Sequence, residues 1–76
     1  MANNFPNSKT VERLRKRYPE GCRVKLIQMD DIQAPPAGTC GTVSYVDDIG
    51  SIHVNWDTGS TLAVYGVDSC MKIRED

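Results

Sequence analysis

The chain has 76 residues, of which 39% are hydrophobic and 25% charged, and its net charge is −1; these values exclude a fibrous or disordered chain and fit one small folded domain. No segment approaches the run of about 20 apolar residues of a membrane span, and the N-terminus lacks a secretory signal, so we expect a soluble, cytoplasmic protein. The charge is uneven, because residues 9–17 hold five basic residues against one glutamate and the remainder therefore carries −5.

The first predicted element is a short helix that follows a flexible leader at residues 1–7, with residues 8–76 forming a single domain. Asn7 or Ser8 can cap this helix. Pro19 ends it, because the residue before a proline is pushed out of the α region. One face of the helix is apolar, and its residues are Val11, Leu14 and Tyr18.

A first strand follows at residues 23–27, where charged and apolar residues alternate so that Val24 and Leu26 point inward. Residues 30–38 contain two prolines and a glycine, which a central strand does not accept. We therefore predict a long loop after the first strand.

Two hairpin turns share the pattern Asp-x-Gly, at residues 48–50 and 57–59. A three-residue hairpin loop places its last residue in the left-handed region, which favours glycine. The second turn then predicts three pairs that join apolar residues on one face: Trp56 with Ser60, Val54 with Leu62, and Ile52 with Val64. The indole N–H of Trp56, a core residue in this register, needs a polar partner at the end of the barrel.

The first turn pairs Val46 with Ile52, and a β-bulge between Val43 and Val46 places both valines inside. A last short strand that closes the sheet on the first strand is supplied by Val67, Met71 and Ile73. Together these elements predict a mainly β fold, a small closed or half-open barrel of about five strands with an N-terminal helix.

Three blocks of the chain carry a family resemblance: TVERLRKRYPEGCRVKLIQMDD, APPAGTCGTVSYVDDIGSIHVNWDTGS and YGVDSC. They resemble a family of bacterial and mobile-element proteins known as domain of unknown function number 4314, over about residues 10–73. The resemblance implies a Src-homology-3-like (SH3-like) barrel and provides no activity to transfer to this chain. A looser similarity of GTV and IHVNWDTGS to the Mind-bomb and HERC type of interaction domain implies the same barrel class.

The sequence favours a protein that is not an enzyme and needs no cofactor. His53 is the single histidine, and no triad or phosphate loop accompanies it. The cysteines, Cys22, Cys40 and Cys70, are odd in number, which favours reduced thiols. With His53 they would supply four zinc ligands, but no C-x-x-C pair is present, so we predict no metal site.

The outer face of the second hairpin is the surface that we predict for a protein or peptide partner. A tyrosine, a histidine and an asparagine lie there, flanked by the proline-rich loop. The candidate peptide-binding residues are His53, Asn55, Tyr65, Pro35 and Pro36. We therefore expect a protein- or peptide-binding accessory module.

The basic helix supports an alternative function, nucleic-acid binding in an accessory protein of a mobile element. Arg13, Lys16 and Arg17 can contact phosphates. The competing interpretation is that these side chains pair with the acidic body of the domain or are simply hydrated.

Overall fold

The computed structural model describes residues 7–66 and 68–73, so the predicted leader lies almost wholly outside the described residues. These residues form one helix and four strands: α1 at Ser8–Arg17, β1 at Arg23–Gln28, β2 at Cys40–Val46, β3 at Ile52–Trp56 and β4 at Ser69–Lys72. Within the same ranges, no helix has the length and apolar character needed to cross a bilayer.

Helix α1 begins and ends as predicted. Asn7 is the N-cap, and its side-chain oxygen accepts a hydrogen bond from the Thr10 N–H at 2.9 Å. The last helical residue is Arg17, with Tyr18 at the C-cap and Pro19 directly after it. The apolar face is confirmed, because the core contains two of its residues in buried positions and the third packed against them: Val11, Tyr18 and Leu14.

The strands form one antiparallel sheet in the order β3-β2-β1-β4. We predicted a barrel of about five strands, whereas the described residues form an open sheet of four. Among the residues described after Gly59, backbone hydrogen bonds to β3 occur at the Trp56–Ser60 and Ile52–Val64 pairs. Both of these pairs have the predicted register. Between them no backbone bridge joins Val54 to Leu62 in the described residues, and the Leu62 carbonyl accepts the Trp56 indole N–H at 2.9 Å.

The hairpin of β2 and β3 has the predicted register. Val46 pairs with Ile52, and the ladder shifts just after Val43, so that both valines are buried. Gly50 and Gly59 close the two Asp-x-Gly turns with φ angles of 84° and 97°, in the left-handed region that favours glycine.

β4 pairs with β1, as predicted, but its apolar residues do not all face the core. Cys70 lies opposite Leu26, and Met71 lies opposite Lys25. Opposite residues in an antiparallel pair project to the same face, so Cys70 packs against the core and Met71 is 50% exposed. Val67 lies outside the described residues.

The core lies on the inner face of the sheet, under α1. Its buried residues are Val11, Tyr18, Val24, Leu26, Val43, Val46, Ile52, Val54, Trp56 and Val64. Gly41 of β2 is the point of closest approach, since a Cβ atom there would lie 2.6 Å from Val54 Cγ1 and 2.8 Å from Trp56 Cε3.

Candidate functional site

Two of the five residues predicted to bind a peptide lie on β3. His53 and Asn55 are two positions apart on this strand, so they share its outer face. Tyr65 directly follows Val64, which bridges to Ile52, and its side chain is 40% exposed. The structure therefore places His53 and Asn55 on one face of β3, with Tyr65 next to the residue that bridges to this strand.

The two prolines of the predicted surface lie elsewhere. Residues 29–39 join the end of β1 to the start of β2, so Pro35 and Pro36 sit beyond the Cys40 end of β2. His53 is opposite Tyr45, toward the other end of that strand. Pro35 is also buried. The structure does not bring these prolines to the face of β3.

His53 is held by two neighbours at the first hairpin turn. Its Nε2 lies 2.8 Å from Asp47 Oδ2, and its ring stacks on Tyr45 with 4.3 Å between the centroids. The other Asp47 oxygen accepts the backbone N–H groups of Ile49 and Ser51. Burial raises the pKa of Asp47, but the hydrogen bonds from His53 and the two N–H groups outweigh it and hold the pKa below its ordinary value.

The pair of Asp47 and His53 has two of the three parts of a catalytic triad. A triad also needs a hydroxyl or thiol nucleophile in hydrogen-bond reach of the imidazole. Among the described residues, His53 has no hydrogen bond to any serine, threonine or cysteine. We therefore interpret the Asp47–His53 pair as a contact that stabilises the hairpin turn.

The three cysteines are free thiols. Burial, with a smaller contribution from the neighbouring Cys22 thiol, raises the pKa of Cys70 to about 11. Burial also raises the pKa of Cys22. Thiols with such values carry little thiolate at neutral pH and pack as small apolar groups. In the described part of the chain, no cluster of three or more potential ligands is placed to hold a metal ion.

Other polar side chains on the outer face of β2 and β3 are also paired. The Asn55 amide donates to the Ser44 hydroxyl at 3.0 Å. Arg23 donates to both carboxylate oxygens of Asp57, at 2.9 and 2.7 Å, and to the Thr42 hydroxyl. The hydrogen bonds from Arg23 hold the pKa of Asp57 below its ordinary value. This half of the sheet satisfies many of its polar groups internally.

A groove of about 580 Å³ lies on the other half of the sheet, and we call it the β4 groove. Its lining residues are Lys25, Cys40, Met71, Lys72 and Ile73. Lys25 is paired with Cys40 on one side and with Met71 on the other, so these side chains form a row across β2, β1 and β4.

The lysines of the β4 groove, Lys25 and Lys72, are both exposed. Among the described residues, neither makes an ion pair or a side-chain hydrogen bond. Our sequence reasoning missed this groove. The alternation in β1 placed Lys25 outside, but the pairing of Lys25 with Met71 depends on a register between distant segments that no local pattern contains.

The basic helix contributes one ion pair to the body of the domain. Arg15 lies 2.8 Å from Asp48, and it also donates to the Val46 carbonyl at 3.1 Å. The three candidate phosphate-binding residues, Arg13, Lys16 and Arg17, are exposed and form no ion pair with a described carboxylate.

The guanidinium of Arg17 lies over the ring of Tyr18, 5.7 Å from its centroid. A smaller cleft of about 230 Å³ lies between the end of α1 and β2, beside Tyr45.

Comparison with known proteins gives one match. A family model with the description "Domain of unknown function (DUF4314)" matches residues 7–73, which include every element described above. No curated protein matches the chain. No solved structure matches it either.

Proposed function

Because this chain belongs to the DUF4314 family, whose description names no activity, we propose from its geometry that it is a non-enzymatic module that binds a protein or peptide. The observation that carries this proposal is the β4 groove, at about 580 Å³. Ligand sites typically have volumes of about 300–1,000 Å³, with apolar walls and a few polar groups. The groove has this composition, since apolar Met71 and Ile73 line it together with Lys25 and Lys72, which form no ion pair with a described residue.

The proposal includes an SH3-like barrel. It is supported by the antiparallel pairing of β1 with β4, which joins the first and last of the described strands. The single bridge between Ile52 and Val64 marks the place where a further strand would add to β3. An accessory role in bacteria or their mobile elements, and a cytoplasmic location, belong to the same proposal through the family resemblance.

The non-enzymatic part is supported by how the candidate catalytic groups are used. Asp47 and His53 bond each other at the turn. Cys22 and Cys70 have raised pKa values. A nucleophile or general base needs a free reactive atom that faces a substrate. Asp47 and His53 instead stabilise the hairpin turn, and Cys22 and Cys70 pack against the core.

Capture of partners from a host lysate tests the binding function when variants of matched exposure are compared. Met71→Asp places a charge in the β4 groove, at a side chain that is 50% exposed. Ile49→Asp is the control, because Ile49 is 40% exposed on the β2–β3 turn, away from that groove. We expect specific protein bands that survive nuclease and that Met71→Asp loses but Ile49→Asp keeps. Equal capture by both variants would contradict the assignment of the groove.

Nucleic-acid binding through α1 is the second candidate, and one observation favours it. Arg13, Lys16 and Arg17 are exposed on the helix and form no ion pair with a described carboxylate. A cationic helix that binds phosphates releases condensed counterions, so its affinity falls steeply with salt. Triple replacement of these residues with alanine should then remove binding to DNA or RNA and leave the melting temperature unchanged. Captured bands that disappear after nuclease treatment would favour this candidate over the first.

A further inference from the structure

We propose that the β4 groove takes an acidic segment in extended conformation, which adds to β4 as a new edge strand. This inference rests on the proposed binding function and specifies the partner and the geometry. It is carried by three observations: the free edge of β4, the apolar row beside it, and the charge of the groove.

The outer edge of β4 is free to pair. β4 is the last strand in the order β3-β2-β1-β4, and no other described strand pairs with it. The Ile73 N–H donates to the Arg23 carbonyl at 2.9 Å. Backbone groups alternate in direction along an antiparallel strand, so Met71 also bonds toward β1, while the N–H and C=O groups of Cys70 and Lys72 point away from it. An added strand would find these groups at its side.

The apolar side chains next to this edge give an added strand a surface to cover. Met71 is 50% exposed and projects to the outer face, beside Ile73 and Cys40 of the same groove. Side chains of an extended peptide alternate between its two faces. Every second residue of the partner would therefore lie over Met71 or Ile73, and we expect apolar residues at those positions.

The charge of the groove selects an acidic partner. The chain outside residues 9–17 has a net charge of −5, yet Lys25 and Lys72 line the groove without an ion pair to a described residue. The other cation on β1, Arg23, is already bound to Asp57. The groove is thus a basic site on an acidic body. Such a body repels a long polyphosphate backbone, whereas a short segment with a few carboxylates can complement the two lysines.

Selection from a display library of random linear peptides tests the partner chemistry. The full chain is the bait, and Met71→Asp is the bait for counter-selection. We expect the retained sequences to combine apolar residues with aspartate or glutamate. One retained peptide is then synthesised with free backbone amides, and again with N-methyl groups on the amides of one edge. The N-methylated form should bind at least about tenfold more weakly, because it cannot donate to β4.

Hydrogen exchange of the peptide complex tests the geometry. We expect the Cys70 and Lys72 amides to exchange more slowly with the peptide bound, and Lys25→Glu to abolish this protection. Lys9→Glu on α1 is the control and should leave it intact. Retained peptides that are basic or that protect the residues around Tyr45 and His53 would overturn the strand-addition inference, while the binding function itself would stand. Absence of any retained peptide, together with lysate capture that Met71→Asp does not alter, would overturn both.

Discussion

The outer face of β2 and β3 differs from that of β1 and β4 in how its polar side chains are paired. On β2 and β3, Asn55 bonds Ser44 and His53 bonds Asp47 while stacking on Tyr45. On β1 and β4, exposed lysines stand beside a half-exposed methionine, and the strand edge is unpaired by described residues. Polar groups that bond each other stabilise the fold but offer less to a partner. This difference is why we propose the β1–β4 half, rather than the β2–β3 half, as the binding surface.

The largest expected loss of stability comes from placing a charge on the buried face of β3. Val54 is 1% exposed at the centre of β3. Val54→Asp should unfold the domain, because an unpaired buried charge costs several kcal/mol out of a total stability of about 5–15 kcal/mol. Circular dichroism and urea titration measure this loss. Asn55→Asp, one residue away on the outer face, is the control and should remain folded; similar behaviour of the two variants would refute the register.

A moderate effect is expected where α1 docks on the sheet. Leu14 is partly buried against the core. Leu14→Ala should lower the free energy of unfolding by about 1–2 kcal/mol, less than the roughly 2–5 kcal/mol of a fully buried leucine. Lys16→Ala, on the exposed side of the same helix, should change it by less than about 0.5 kcal/mol. Equal losses in the two variants would mean that the helix does not pack through its apolar face.

A smaller effect, with a pH dependence, is expected at the Asp47–His53 pair of the hairpin turn. Asp47 accepts three hydrogen bonds, and its pKa is lower in the folded protein than in the unfolded chain. Its stabilisation is therefore complete above the ordinary carboxyl range and is lost as the pH falls through the lowered pKa. Asp47→Asn should cost about 1 kcal/mol near neutral pH.

Urea titrations of Asp47→Asn and the parent chain across the acid range measure this dependence. The difference between them should shrink as the solution becomes more acidic. Asp30→Asn is the control, since the Asp30 carboxylate has no side-chain hydrogen bond or ion pair to a described residue. A difference for Asp47→Asn that stays constant down to strong acid would show that the charge of Asp47 does not stabilise the turn.

The smallest effect on stability is expected in the binding half. Met71→Ser should lower the free energy of unfolding by less than about 1 kcal/mol, because half of this side chain is already in water. The same variant should lose the partner that the parent chain captures. Thermal melts and capture experiments on one preparation measure both quantities. A large loss of stability without loss of capture would reverse the roles of the two halves.

The sequence predicted what local chemistry determines. The Asp-x-Gly turns, the bulge between Val43 and Val46 and the cap at Asn7 each depend on residues close together in the chain, and the structure confirms them. The need of the Trp56 indole for a partner was also predicted. The identity of this partner, the Leu62 carbonyl, was not predicted. In this arrangement Val54 and Leu62, a pair expected for the fifth strand, form no backbone bridge in the described residues.

The β4 groove could not be predicted from local sequence patterns, because it depends on the register between strands that are distant in the chain. The β4 groove exists because Met71 is set opposite Lys25, and Cys70 opposite Leu26. A shift of β4 by one residue would turn Met71 inward and remove the exposed row. The position of Pro35 and Pro36 relative to β3 depends in the same way on how β1 and β2 pair.

Gly41 restricts which residues members of this family can carry at positions 41, 54 and 56. A methyl group at this position would collide with Val54 Cγ1 and Trp56 Cε3, and it would also lie 2.9 Å from the backbone oxygen of Asn55. A smaller residue at position 54 or 56 relieves the first two clashes, but no exchange of side chains moves a backbone oxygen. Relatives with alanine at position 41 should therefore carry changes at both neighbouring positions and a displaced β3. A chain with alanine at position 41 and no other change should be unstable. We therefore expect more relatives to retain glycine at position 41 than to retain methionine at position 71.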